Sequence, residues 1–125
     1  MGKNYRLLII DDSEETVAGL EHFFSKTYEV FTAADGMEGL KLFENEKEGF
    51  DLVITDLVMP YISGVGVISI IKKKDAGTPV IAITGWGEHP GALATEAQAD
   101  IVLEKPIELP ELEKIVDDML AKKES

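Results

Sequence analysis

Short, continuous apolar runs recur along the chain at intervals that suit strands separated by helices. They are rich in Val and Ile and do not alternate with polar residues, which is typical of strands in a parallel sheet covered on both faces. Between them lie stretches whose apolar residues are three or four positions apart, the spacing of an amphipathic helix. The predicted strands are Leu7–Ile10, Val30–Ala33, Leu52–Thr55, Val80–Thr84 and Ile101–Leu103.

Four of the helical stretches are well defined. The first is preceded by Asp12 and Ser13, either of which can cap its free N–H groups. In the last, Pro110 occupies the first turn, where a missing N–H is tolerated. The apolar positions that define the four helices are Val17, Leu20 and Phe24; Met37, Leu40 and Phe43; Val67, Ile68 and Ile71; and Leu112, Ile115, Val116, Met119 and Leu120.

The crossover between the fourth and fifth strands has a weaker pattern. Gly85, Gly87, Pro90 and Gly91 crowd its start, and these residues interrupt helices. About two helical turns remain, from Ala92 to Gln98. We therefore expect the fourth helix to be short or irregular.

Five alternations of strand and helix predict an α/β fold in which a parallel sheet lies between two layers of helices. For this length we expect a flavodoxin-like, doubly wound (βα)5 sandwich with strand order 2-1-3-4-5. We expect a single domain over residues 1–125, with its core over about residues 6–120. In such sheets, ligands bind beyond the carboxyl ends of the strands, here near the first and third strands.

Composition excludes several classes of function. Twelve basic and 24 acidic residues give a net charge of −12, which disfavours direct contact with nucleic acid or an anionic membrane. The chain has no cysteine and two histidines, which argues against zinc centres and thiol chemistry. No apolar run is long enough to span a bilayer, and the first residues do not resemble a signal peptide, so we expect a cytoplasmic protein. We expect Lys72-Lys73-Lys74 to be a solvated helix end.

Polar side chains with complementary chemistry follow four of the predicted strands. Asp11 and Asp12 follow the first strand, Asp56 the third, and Lys105 the fifth, while Thr84 ends the fourth. Because the carboxyl ends of parallel strands share one edge of the sheet, we expect these groups to converge.

Three clustered carboxylates repel one another unless a cation is bound, and an oxygen-only ligand set suits Mg²⁺. A metal beside Asp56 allows a phosphoryl group to approach, so that Asp56 can act as a nucleophile and form an aspartyl phosphate. The Thr84 hydroxyl and the Lys105 ammonium can bind its oxygens.

This set of motifs resembles the receiver domain of two-component response regulators. The resemblance covers roughly Arg6 to Leu120 and rests on Asp11-Asp12, Asp56 with Met59-Pro60 and Gly64, Thr84, and Lys105-Pro106. It implies that Asp56 accepts phosphate from a histidine kinase or a histidine phosphotransfer protein. It also implies that Asp11, Asp12 and the Val58 backbone carbonyl help to hold Mg²⁺, that Thr84 is the switch hydroxyl, and that the Lys105–Pro106 peptide is cis.

The chain departs from the usual pattern of this family at its output face. Val102 stands where an aromatic switch residue is common, and Gln98-Ala99 replaces a usual Gly-Ala pair. Together with the weak fourth helix, these changes affect signal readout and leave the phosphoacceptor chemistry intact. By the same resemblance, Val58 and Trp86 border the phosphoryl group and tune its lifetime.

The function that these features predict is a phosphorylation-dependent signalling domain rather than an enzyme. A pseudo-receiver acting as an interaction module is an alternative. A phosphatase of the haloacid-dehalogenase type would need an Asp-x-Asp pair, and a flavin carrier would need a hydroxyl-rich loop in place of two carboxylates. The pattern leaves open a stand-alone regulator, a relay intermediate or a piece of a longer chain with its effector, as well as the cognate kinase, the target and the oligomeric state.

Overall fold

A computed structural model describes residues 5–57, 59, 62–85 and 98–123 of the chain. The predicted helix over residues 92–98 lies outside the described residues except at Gln98. The strands are β1 (Arg6–Ile10), β2 (Glu29–Ala33), β3 (Leu52–Asp56), β4 (Val80–Thr84) and β5 (Ile101–Glu104). The described helices are α1 (Glu14–Phe24), α2 (Gly36–Asn45), α3 (Gly64–Lys74) and α4 (Leu109–Lys123).

All neighbouring strands pair in parallel, in the order β2-β1-β3-β4-β5. The predicted flavodoxin-like order is therefore confirmed. Strand β3 lies between β1 and β4, with Thr55 opposite Ile10 on one side and Ala82 on the other. This register brings the carboxyl ends of the three central strands to one edge of the sheet.

The core consists of two apolar clusters, one on each face of the sheet. Helices α1 and α4 cover one face, where Leu20, Phe24 and Val116 pack against the central strands. Helices α2 and α3 cover the other face through Leu40 and Ile68. Every residue of β1, β3 and β4 is buried, whereas most residues of the edge strands β2 and β5 are partly exposed. The continuous apolar runs reflect this burial on both sides.

Three of the helices begin at side chains that cap their free N–H groups. The hydroxyl of Ser13 accepts from the N–H of Thr16 at the start of α1, and the carboxylate of Asp35 accepts from the N–H of Glu38 in α2. Ser63 caps α3 in the same way. Of the two caps considered for α1, Ser13 is therefore the one used. Each cap fixes where a helix starts after the preceding strand.

Two predictions about exposure are wrong. Met37, assigned to the apolar face of α2, is 51% exposed. Lys72, assigned to a solvated helix end, has a side chain that is only 7% exposed, because a carboxylate and backbone carbonyls surround its ammonium. Lys73 is exposed as expected.

Within the described ranges, no helix combines the length and the apolar character that crossing a membrane requires.

Candidate functional site

Three carboxylates meet at the carboxyl ends of β1 and β3. One carboxylate oxygen from each of Asp11, Asp12 and Asp56 lies within 4.8 Å of the others. Asp11 and Asp56 are buried, at 2% and 6% exposure, and Asp12 is exposed. The convergence predicted from the strand ends is therefore present in the fold.

Asp11 is fixed by hydrogen bonds on both sides of its Cα. Its N–H donates to the carbonyl of Ala33 at the end of β2, and its carboxylate accepts from the N–H of Ser13 at 2.9 Å. Burial raises the pKa of the Asp11 carboxyl above its usual value, and the negative charges of Asp56 and Asp12 raise it further. The Ser13 hydrogen bond and the positive charge of Lys105 lower this pKa and offset part of the rise. The ionised site is thus electrostatically costly without a cation.

Asp56 ends β3 directly against the start of α3. A Cβ on Gly64 would lie 2.0 Å from the Asp56 carbonyl oxygen and 2.6 Å from the Cα of Leu57. No other residue type fits at Gly64 without moving the backbone. The N–H of Gly64 donates to the carbonyl of Leu57 at 3.0 Å and closes the loop. The close approach of α3 thus holds the backbone of Asp56 in place.

Lys105 and Thr84 complete the rim of the site. The ammonium of Lys105 lies 3.7 Å from a carboxylate oxygen of Asp56 and is partly exposed. The Lys105–Pro106 peptide is cis, as predicted, and the N–H of Lys105 donates to the carbonyl of Thr84. The Thr84 hydroxyl is buried and has no hydrogen-bond partner within the part of the chain that the structure describes. A buried hydroxyl without a partner is suited to binding an incoming oxygen.

The remaining predicted site residues are placed less completely. Val102 lies in β5 opposite Ala82 and packs, partly buried, against the cluster under α2 and α3. Val58 and Trp86, predicted to border the phosphoryl group, and the Val58 carbonyl, predicted as a metal ligand, lie outside the described residues. Their roles stay predictions, as does the altered readout through Val102.

The donor set at this edge fits a hard divalent cation. All of the clustered ligand atoms are carboxylate oxygens, which Mg²⁺ and Ca²⁺ prefer over the nitrogen and sulfur ligands of zinc. The partial exposure of the cluster leaves room for the water ligands that Mg²⁺ retains. Burial is the main cause of the raised pKa of Asp11, and a bound cation would relieve the additional contribution from the negative charges of Asp56 and Asp12.

Comparison with known families supports the interpretation of these strand-end residues as one functional site. Residues 7–117 match the family described as the response regulator receiver domain. The chain belongs to this family. That assignment confirms the resemblance carried by the strand-end motifs, and it sets aside the phosphatase and flavin-carrier alternatives.

Similar proteins are found in several different organisms. The transcriptional regulatory protein GlrR of Escherichia coli is 37% identical over 94% of this receiver domain, which covers 27% of that protein. PhoP of Bacillus subtilis, an alkaline phosphatase synthesis transcriptional regulatory protein, is 31% identical over 97% of the chain and 50% of its own length. The crystal structure of a CheY-like receiver domain from Methanospirillum hungatei superposes with a TM-score of 0.91 at 27% identity, covering 98% of both chains. The receiver domain thus spans half or less of the length of these curated relatives.

Sequence reasoning missed one polar residue next to the phosphoacceptor. Thr55 reads as a strand residue between Ile54 and Asp56, and its β-branched side chain suits that position. The structure shows its hydroxyl fully buried and donating to the backbone carbonyl of Asp56. The only signal was a single hydroxyl in an otherwise apolar strand.

Proposed function

We propose that this receiver domain is a phosphorylation-dependent switch in which Asp56 accepts a phosphoryl group from a phosphohistidine donor. The observation that carries the proposal is the cluster of three carboxylates, with the Lys105 ammonium 3.7 Å from Asp56. Membership of the receiver family supports it.

The residues divide the work of phosphoryl transfer. A carboxylate oxygen of Asp56 forms a bond to phosphorus while the bond from phosphorus to the donor nitrogen breaks, and the imidazole leaves with that electron pair. Lys105 then pairs with a phosphoryl oxygen instead of the free carboxylate. The Thr84 hydroxyl, which has no partner among the described residues, donates to another phosphoryl oxygen. This gain of a partner at Thr84 is the local change by which the switch is read.

Asp11, Asp12 and Asp56 are the residues that would hold Mg²⁺, with the Val58 carbonyl as a further ligand implied by the family. When bound there, the ion would supply positive charge that offsets the negative charge of the transferring phosphoryl group. Asp11 is held ready by Ser13, so little reorganisation is needed on binding. Asp12 is the exposed member of the cluster.

The partners follow from the same chemistry. The proposed donor is a histidine kinase or a histidine phosphotransfer protein, and the proposed location of the receiver is the cytoplasm. The output is an effector, either a separate protein or a further part of a longer chain. Two relatives named as transcriptional regulatory proteins extend well beyond the matched region, which supports the second arrangement.

Phosphorylation with a small donor tests the proposal without a kinase. Incubation of the purified chain with Mg²⁺ and acetyl phosphate is expected to add one phosphoryl group, observed by intact mass spectrometry. Asp56→Asn removes the nucleophile and is expected to abolish labelling. Asp51→Asn is the matched control, because Asp51 immediately precedes β3, at the end of the strand opposite Asp56 and outside the site.

The outcome distinguishes the two functions left open for this family. A wild-type protein that is never labelled, despite intact folding and confirmed Mg²⁺ binding, would support the pseudo-receiver alternative. Labelling that persists in Asp56→Asn would contradict the assignment of Asp56.

A further inference from the structure

Thr55 places a hydroxyl group in an apolar environment beside the phosphoacceptor. It is the fourth residue of β3 and is 0% exposed. Its partners in the neighbouring strands are Ile10 and Ala82, both aliphatic. Burying a hydroxyl costs free energy unless it forms a hydrogen bond, and valine has nearly the same shape without that cost. The hydrogen bond that the Thr55 hydroxyl forms must therefore offset the free-energy cost of burying it.

The hydrogen bond made by Thr55 falls on the peptide that carries the phosphoacceptor. Its hydroxyl donates to the backbone carbonyl oxygen of Asp56 at 3.0 Å. The following N–H, of Leu57, donates to the carbonyl of Ile83 in β4 at 2.9 Å. The start of α3 also lies against this carbonyl, because Gly64 approaches it so closely that an added Cβ would be 2.0 Å from the same Asp56 oxygen. The Asp56–Leu57 peptide is thus held by a hydroxyl, a neighbouring strand and a helix.

We infer that Thr55 is a positioning residue, whose hydroxyl holds the Asp56 carbonyl and thereby fixes the direction of the Asp56 carboxylate. Rotation about the Cα–C bond of Asp56 turns the carboxylate relative to the anchored peptide. Such a rotation changes the distances from Asp56 to Asp11, to Asp12 and to the ammonium of Lys105. This inference rests on the proposed function, because positioning has a kinetic consequence only if Asp56 reacts.

Three substitutions separate positioning from stability. Thr55→Val keeps the volume and removes the hydroxyl, whereas Thr55→Ser keeps the hydroxyl and removes a methyl group. Thr78→Val is the matched control, because Thr78 is also buried, at 1% exposure, and its hydroxyl donates to the carboxylate of Asp75. Both residues precede β4 and therefore lie at the end of the sheet opposite the carboxylate cluster. The measurements are the phosphorylation rate with acetyl phosphate, Mg²⁺ affinity by calorimetry, and the melting temperature.

Thr55→Val is expected to lower the phosphorylation rate roughly tenfold, the effect of losing one buried hydrogen bond that orients a reacting group. The Mg²⁺ affinity of Thr55→Val is also expected to decrease, because Asp56 is a proposed metal ligand. Thr55→Ser is expected to restore both to near the wild-type values even though its melting temperature drops. Thr78→Val lowers the melting temperature and leaves rate and affinity unchanged.

Each result decides between the alternatives. If the wild type is labelled and Thr55→Val matches it in rate and affinity, or if Thr55→Ser is as impaired as Thr55→Val, the positioning role is overturned alone. If the wild type is never labelled, the proposed function fails and the inference fails with it. Should Thr55→Val not fold, Thr55→Ala compared with Thr55→Ser gives the same contrast between loss and retention of the hydroxyl.

Discussion

The ammonium of Lys72, at the end of α3, lies 2.8 Å from a carboxylate oxygen of Asp100, the residue before β5. It also donates to the carbonyl of Thr78 at 2.8 Å, and the same Asp100 oxygen accepts from the N–H of Val80 at 2.7 Å. This single lysine therefore joins the end of α3 to the starts of β4 and β5. It lies at the edge of the sheet opposite the carboxylate cluster.

Replacing this lysine tests its structural importance. Lys72→Met keeps the aliphatic stem and removes the ammonium, which leaves the Asp100 carboxylate with one backbone donor. Because Asp100 is partly solvated, we expect a loss of about 1–2 kcal/mol in the free energy of unfolding, less than for a fully buried pair. Lys73→Met is the control, since Lys73 is exposed and its loss should change stability by less than about 0.5 kcal/mol. Equal melting temperatures for the two variants would show that the Lys72 contacts are energetically neutral.

Gln98 adopts a backbone conformation that favours glycine. Its φ is +77°, in the left-handed region, where a side chain costs about 1–2 kcal/mol. Since glycine loses about 0.5–1 kcal/mol more conformational entropy on folding, Gln98→Gly should raise the free energy of unfolding by about 0.5–1 kcal/mol. Gln98→Ala keeps the Cβ and should give no gain. Chemical denaturation of the three proteins measures both effects, and a stabilised alanine variant would contradict a backbone origin.

The same position shows how far a sequence pattern carries. The pair Gln98-Ala99 stands out as a departure from a familiar Gly-Ala, and the conformation that makes glycine common there is retained. The five strands were predictable because burial on both faces leaves continuous runs of Val, Ile and Leu. The strand-end residues were predictable because parallel strands bring their carboxyl ends together.

Polar contacts between distant segments were not predictable in the same way. The Arg6 guanidinium is buried, stacks on the ring of Phe31 at 4.6 Å and pairs with Glu46 and Glu48. The two glutamates lie 40 and 42 residues further along the chain, and no periodicity links them to Arg6. Lys72 and Asp100 are likewise 28 residues apart. Hydrophobic patterning reports which face is buried, and it carries no information on which charge pairs with which.

The raised pKa of Asp11 predicts a pH-dependent stability of the metal-free protein. Burial is the main cause, followed among the raising effects by the charge of Asp56. Between the ordinary pKa near 3.8 and the raised native value, the native state binds more protons than the unfolded state, so the free energy of unfolding falls as pH rises. Asp11→Asn removes this loss and keeps an oxygen that can accept from Ser13. We expect the variant to gain roughly 1 kcal/mol at pH 7 in chelator and to lose this advantage at low pH.

With Mg²⁺ bound, the wild type should be more stable than Asp11→Asn, the reverse of their order in chelator. A ligand that binds only the native state adds RT ln(1 + [L]/Kd), which is about 2.7 kcal/mol at a hundredfold excess over Kd. The wild type should gain more from Mg²⁺ than Asp11→Asn, which lacks one ligand. Asp12→Asn, at the exposed position, should give a smaller gain in chelator. Thermal unfolding with chelator and with Mg²⁺ measures these differences. An Asp11→Asn variant that melts below the wild type in chelator at pH 7 would contradict the expectation that the ionised Asp11 carboxylate destabilises the metal-free native state.

Tyr28 predicts a second pH effect, at the alkaline end. Its hydroxyl donates to the carboxylate of Asp117 in α4, a contact between residues 89 positions apart. Burial, this hydrogen bond and the charges of Asp117 and Glu113 raise the pKa of Tyr28 well above its ordinary value near 10.0. Between the ordinary pKa near 10.0 and the raised native pKa, the unfolded chain releases a proton that the native state retains. The contribution of Tyr28 to the free energy of unfolding is therefore complete below about pH 10 and decreases as the pH rises above it. Tyr28→Phe should therefore cost about 0.5–1 kcal/mol at pH 8, with a smaller difference from wild type above pH 10.

The acceptor of this hydrogen bond has a matched neighbour. Asp117 and Asp118 are both exposed on α4, and only Asp117 is the acceptor for Tyr28. Asp117→Asn removes the charge that opposes ionisation of Tyr28, so the tyrosine should ionise at a lower pH than in the wild type. Asp118→Asn should leave the titration unchanged, because its carboxylate does not accept from the phenol. Ultraviolet absorbance of the phenolate, followed from pH 8 to 12, measures this difference, with Tyr28→Phe identifying which step belongs to Tyr28. If the two asparagine variants titrate alike, the hydrogen bond to Asp117 does not set the pKa of Tyr28.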